Sequence, residues 1–214
     1  MRPTKTIADC YLYGFIDTAY LRNRDPAVLA GTLIDGGVDV IQVRAKRNTH
    51  AQRVELALRV VEISAPRGVP VIVNDDVDAA FESGADGVHL GQEDWDQLGG
   101  KTERAARLAN MRLVGISTHT LEQALRAERD GANYIGVGPV YPTGTKPNAK
   151  PVGLNLLRDV AVQVKIPFFA IGGITLENID GVLNAGATKV AVVSAILNAE
   201  DAQQTAAELK KRLL

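Results

Sequence analysis

Four short segments of this chain echo one another: Gly37-Val-Asp-Val-Ile, Gly84-Ala-Asp-Gly-Val, Gly131-Ala-Asn-Tyr-Ile and Gly186-Ala-Thr-Lys-Val, at nearly even intervals. Each glycine stands where an amphipathic stretch ends and an apolar run begins. That is a helix C′ position, whose left-handed backbone costs glycine little. The runs predict eight strands, at Tyr11–Asp17, Val38–Arg44, Pro70–Asn74, Gly87–Gly91, Leu113–Ser117, Tyr134–Val140, Pro167–Gly172 and Val190–Ala195. Most are almost continuously apolar, as in parallel strands covered on both faces. Amphipathic stretches at Ala51–Ser64, Leu121–Asp130, Leu154–Val164 and Leu176–Ala185 predict intervening helices, and Asp201–Leu214 closes the chain. The echoes open strands two, four, six and eight, which predicts a closed (β/α)8 TIM barrel. An open doubly wound sheet usually carries G-x-G-x-x-G after its first strand. Here Ile16-Asp-Thr-Ala-Tyr stands in that place. No linker or low-complexity tract interrupts the pattern, so residues 1–214 are expected to form a single barrel domain.

Composition narrows the function classes. The 214 residues are 46% apolar, enough for one sizeable core. Twenty-four basic residues face 25 acidic ones, a balance that argues against a nucleic-acid or membrane-surface protein. One cysteine, Cys10, rules out an internal disulfide. No apolar run approaches the ~20 residues of a membrane span, and Met-Arg-Pro-Thr-Lys-Thr lacks the apolar segment of a signal peptide. A cytoplasmic protein acting on small molecules is the expectation, with a homo-oligomer admissible.

In such a barrel the chemistry collects at the C-terminal strand ends. Strand two ends Gln42-Val-Arg44-Ala-Lys46, three long polar side chains on one face, suited to a rim that holds an anion or to a solvated basic end. Strand three ends Asn74-Asp75-Asp76, and strand four runs on through Gln92-Glu93-Asp94. These carboxylates either cap helices or hold a hard cation; Mg²⁺ takes one or two carboxylates and completes its shell with water and phosphate oxygens. Strand five ends at Ser117, followed by His119, a candidate general base or an exposed loop residue, and by Thr120-x-x-Gln123, a capping box. Strand six leads into Thr143-Gly144-Thr145-Lys146, which lacks the first glycine of a P-loop. Gly173 after strand seven and Ser194 after strand eight suit the backbone-donor phosphate site that barrels often build there. The mouth is therefore expected to hold a donor-rich corner (Thr143, Thr145, Gly173, Ser194) and a charged corner (Arg44, Lys46, Lys146, Asp75, Asp94). Two corners fit two anionic groups and a two-substrate transfer.

The ordered set Ile41–Lys46, Val73–Asp76, Gly87–Asp94, Gly115–Thr120, Gly136–Lys146, Ala170–Ile174 and Val192–Ile196 resembles the thiamine-phosphate synthase family over most of the chain. The resemblance implies a (β/α)8 barrel that joins hydroxymethylpyrimidine diphosphate to a thiazole phosphate, giving thiamine phosphate and pyrophosphate with Mg²⁺ as cofactor. It implies that Gln42, Arg44, Lys46, Asn74, Ser117 and Lys146 hold the pyrimidine diphosphate and that Asp75 and Asp94 bind Mg²⁺. Thr143, Thr145, Gly173, Val193 and Ser194 are implied for the thiazole phosphate, with Val43, Ala45 and Gly144 as the intervening substrate-binding residues. Arg44, Lys46, Lys146 and Ser117 form the catalytic set.

Two places depart from the family pattern. Ala45 replaces a usual glutamate, removing an orienting partner expected for Arg44 or Lys46. The first strand runs into an unusual loop whose Arg22 and Arg24 are either diphosphate ligands or surface charges. A thiazole tautomerase using His119 as base, or a non-catalytic sensor of thiamine phosphates, are the rival readings. The retained Asp75, Asp94 and Thr-Gly-Thr-Lys argue against the tautomerase, and the acidic pair against the sensor.

Overall fold

The computed structural model describes residues 4–97, 108, 110–145 and 148–214. Eight parallel strands close into a barrel in sequence order: β1 (Leu12–Asp17), β2 (Val40–Arg44), β3 (Val71–Asn74), β4 (Gly87–Leu90), β5 (Leu113–Thr118), β6 (Tyr134–Val137), β7 (Phe168–Ile171) and β8 (Val190–Ala191). Helices among the described residues are α1 (Pro26–Asp35), α2 (His50–Ser64), α3 (Val77–Glu82), α4 (Gln92–Gln97), α5 (Leu121–Arg129), α6 (Gly153–Gln163), α7 (Ile179–Asn184), α8 (Ser194–Leu197) and α9 (Ala202–Arg212). None is long and apolar enough to cross a membrane. The four echoing glycines take the expected left-handed backbone, with φ between 67° and 95°.

Local chemistry starts the helices. Asp25 accepts from the amides of Ala27 and Val28 ahead of Pro26 in α1, and Thr49 and Gln52 form a reciprocal capping box on α2. Asp76 caps α3 and Asp201 caps α9. Four expectations shift. Strand six stops at Val137, before Gly138-Pro139, and strand eight stops at Ala191, so Ser194 opens a helix instead of ending a strand. The predicted helix at Leu176 begins at Ile179, because Asn178 Oδ1 accepts from the Thr175 amide and holds the preceding residues in a turn. At α5, Thr120 accepts from the Gln123 amide, but the Gln123 carbonyl reaches the amide of His119 instead of that of Thr120.

The barrel interior is filled by aromatic rings. Tyr13 stacks on Phe15 at 5.3 Å, and Phe169 meets both Tyr13 and Tyr134 edge-on at 5.2 and 5.7 Å. Room for Tyr134 comes from Gly115, its register partner on β5: a Cβ there would lie 2.1 Å from the Tyr134 ring.

At the N-terminal end of the strands, Asp39 ties three parts of the chain together. It pairs with Lys5 at 2.6 Å and with Lys210 of α9, and it accepts from the amides of Tyr11 and Leu12. Burial alone would push this carboxyl up; the bonds from Lys210, Lys5 and the two amides outweigh it and hold it below the ordinary carboxylate range. Nearby, burial pushes the Cys10 thiol up to about 12, so it is a packed group and not a nucleophile. Because Asp39 titrates lower folded than unfolded (about 3.9), its bonds add stability above that value and lose it as pH falls through the folded pKa. Asp39→Asn is therefore expected to lower stability at pH 7 by about 3 kcal/mol. Thermal melts from pH 7 to 2 should show the gap to the parent narrowing in acid; a gap independent of pH would contradict this role.

Candidate active site

A cavity of about 910 Å³, counting its open mouth, lies over the aromatic floor at the C-terminal strand ends. Tyr13, Phe15, Tyr134 and Phe169 form its base, and residues from all eight strands or the segments after them reach it. One hydrogen-bonded chain crosses this base. Gln42 Nε2 donates to Tyr13 Oη at 2.9 Å, the Tyr13 and Tyr134 hydroxyls are 3.0 Å apart, Tyr134 Oη lies 3.1 Å from His89 Nδ1, and His89 Nε2 lies 3.0 Å from Ser117 Oγ. The His89 ring packs against the backbone of Gly136, where a Cβ would lie 3.4 Å from it. Burial raises both phenols well above their ordinary range, so each keeps its proton.

The charged corner is ordered by carboxylates. Arg44 donates to Asp17 at 2.6 Å; the two are register partners on β2 and β1, and Asp17 is 1% exposed. The orienting partner expected at residue 45 is thus supplied from the neighbouring strand. Ala45 itself is buried, as is Val43, and neither side chain lines the cavity. Lys46 lies 3.4 Å from Asp75, with both side chains partly exposed. Such a pair contributes little to stability and exchanges partners readily. Asp75 sits at φ 64°, a left-handed conformation that aspartate tolerates better than most residues, and its amide donates to the carbonyl of His89 on β4. Asp94, in the first turn of α4, turns its carboxylate back over Gly91. Among the described residues, no group of three or more His, Cys, Asp or Glu side chains gathers as a metal site. Two hard-oxygen carboxylates after adjacent strands still fit Mg²⁺, provided that substrate phosphate oxygens and water fill the rest of its shell.

The donor-rich corner is built on a turn. Gly172 and Gly173 take φ 101° and 64°, and a Cβ on Gly173 would come within 2.5 Å of the Pro142 carbonyl. Asn178 Nδ2 donates to the Gly173 carbonyl and steadies the turn. Thr143, Thr145, Val193 and Ser194 line the same side of the cavity wall as Gly173 in sequence order after β6, β7 and β8. The Thr143 hydroxyl accepts from the Thr145 amide, and the Thr145 hydroxyl meets Tyr20 Oη at 3.0 Å.

Of the expected residues, Gln42, Arg44, Asn74, Ser117, Thr143, Thr145, Gly173, Val193 and Ser194 line one cavity. Lys46, Asp75, Asp94 and Gly144 are not among its lining residues, and Lys146 lies outside the described residues. His119 lines the cavity with Nδ1 on the Gly138 carbonyl. Arg24 is a structural clamp: it donates to the carbonyls of Tyr20, Leu21 and Leu197, tying the first loop to α8. Arg22 is exposed in a left-handed turn. Sequence reasoning missed Tyr13, His89, Tyr134, Asp17, Tyr20 and Asn178. For Tyr134 a signal existed, since a glycine inside a strand, here Gly115, marks close approach by a large neighbour.

The chain matches the family model for thiamine monophosphate synthase over residues 12–196. Thiamine-phosphate synthase of Chloroflexus aurantiacus is 43% identical to it over 205 residues, covering 95% of this chain and 93% of its own length. That of Methanocella arvoryzae is 45% identical over 201 residues, with 93% and 92% covered. The solved thiamine phosphate pyrophosphorylase of Pyrococcus furiosus superposes with a TM-score of 0.83 at 34% identity, covering 95% of each chain. This chain belongs to the thiamine-phosphate synthase family.

Proposed function

We propose that this chain, acting as one barrel domain, joins 4-amino-2-methyl-5-hydroxymethylpyrimidine diphosphate to 4-methyl-5-(2-phosphooxyethyl)thiazole, releasing pyrophosphate. The observation that carries the reading is a single cavity over an aromatic floor, with Arg44 in one wall, Lys46 further along the same strand end, and a separate donor-rich corner. In this reading the pyrimidine ring lies on the floor near Gln42, Asn74 and Ser117, and its diphosphate meets Arg44, Lys46 and Lys146. The thiazole phosphate takes the Gly173 turn, Thr143, Thr145, Val193 and Ser194.

The chemistry needs little beyond charge and position. The C–O bond between the pyrimidine methylene and the diphosphate breaks, and the electron pair leaves with oxygen. Arg44 and the lysines stabilise charge where it builds. Asp75 and Asp94 would hold Mg²⁺, which supplies further positive charge to the diphosphate. The thiazole nitrogen then forms the C–N bond; it has no proton to lose, so no general base is required. Holding both partners in register contributes up to about 7–11 kcal/mol.

The direct test is pyrophosphate release by the purified protein, with each substrate alone and both together, with and without Mg²⁺. Release that needs both substrates and the metal is expected; release from neither combination, by a folded protein, contradicts the reading. Asp75→Asn is expected to shift the Mg²⁺ titration to higher concentration, and an unaltered titration would remove Asp75 from the metal site. Asp17→Asn should lower kcat about tenfold by releasing Arg44. Unchanged kcat would mean that the Asp17 contact does not position Arg44 for catalysis.

A further inference from the structure

The chain of hydrogen bonds across the cavity floor has a direction. Gln42 presents its amide nitrogen to Tyr13, so the Tyr13 oxygen accepts and its proton is directed to Tyr134. Tyr134 then accepts from Tyr13 and directs its own proton to His89 Nδ1. A neutral imidazole that accepts at Nδ1 carries its one proton on Nε2, and Nε2 faces Ser117 Oγ. Ser117 therefore accepts from His89, and its own hydroxyl proton is left to point into the cavity that Ser117 lines. Both phenols are fully enclosed, and a buried hydroxyl without a partner is costly, so reversing one link forces the rest to reverse.

We infer that Tyr13, Tyr134 and His89 are positioning residues that hold the Ser117 hydroxyl as a hydrogen-bond donor to the oxygen on which charge builds when the pyrimidine diphosphate ionises. The inference rests on the synthase reading above and deepens it. Each link in the chain polarises the next, so Ser117 is a stronger donor than an isolated serine. Gln42 is the anchor that sets the direction. None of the three positioning residues touches the reacting atoms; they act through Ser117.

The test is a cycle of Tyr134→Phe, Ser117→Ala and the double variant, followed by pyrophosphate release. Phenylalanine keeps the packing against Phe169 and removes only the hydroxyl. Tyr134→Phe is expected to lower kcat about tenfold with KM for the pyrimidine diphosphate little changed, and to have no further effect in the Ser117→Ala background. Tyr13→Phe should behave the same way and serves if Tyr134→Phe fails to fold. A loss of equal size in both backgrounds would make the chain a packing device and overturn the inference. So would a loss in KM with kcat intact. ¹⁵N NMR of the His89 ring reads the direction without turnover: the proton on Nε2 is expected, and a proton on Nδ1 overturns the assignment. A parent protein that releases no pyrophosphate overturns the synthase reading and this inference together, whereas an active parent with silent variants overturns the inference alone.

Discussion

Two tyrosine hydroxyls buried at the centre of a closed barrel must find partners, and the site is organised around that requirement. An unpaired hydroxyl there would cost about 1–3 kcal/mol. Tyr13 and Tyr134 answer it by bonding to each other and then outward to Gln42 and His89. The solution needs Gly115, whose missing side chain admits Tyr134. The result is a floor that is apolar in its faces and polar along one line, on which a flat, polar-edged ring can rest.

Above the floor, the strand ends separate two kinds of polar group. At β2, Arg44 is aimed by the buried Asp17 of β1, which fixes a charge that would otherwise sample many rotamers, while Lys46 pairs loosely with the partly exposed Asp75. Across the cavity stand backbone groups and hydroxyls, on a glycine turn held by Asn178. The first loop belongs to this second wall. Arg24 binds it to α8, and Tyr20 reaches Thr145 across the mouth.

Periodicity made the barrel legible, because parallel strands buried on both faces leave unbroken apolar runs and the four echoing glycines turn left-handed between a helix and a strand. Strand-end candidates such as Gln42, Arg44, Asn74 and Ser117 were legible for the same reason, since polar residues where an apolar run stops lie by the mouth, although Lys46, Asp75 and Asp94 do not line the cavity. What sequence could not supply is who meets whom across the barrel. Tyr13 and Tyr134 are 121 residues apart and touch only because the sheet closes. Asp17 read as the last residue of a strand until the β1–β2 register set it beside Arg44. The missing glutamate at Ala45 looked like a loss for the same reason, since the compensating carboxylate lies on a different strand. Arg24 carried the charge of a ligand, but its surroundings are three backbone carbonyls.

A crystal structure of the chain with thiamine phosphate, pyrophosphate and Mg²⁺ tests most directly whether one cavity holds two anionic groups in separate corners over a shared floor. Pyrophosphate is expected against Arg44 and Lys46 with the metal at Asp75 and Asp94, the product phosphate at the Gly173 turn and Ser194, and the pyrimidine over Tyr13 and Tyr134. Both anions in one corner, or a ring seated away from the Gln42–Ser117 line, would contradict it.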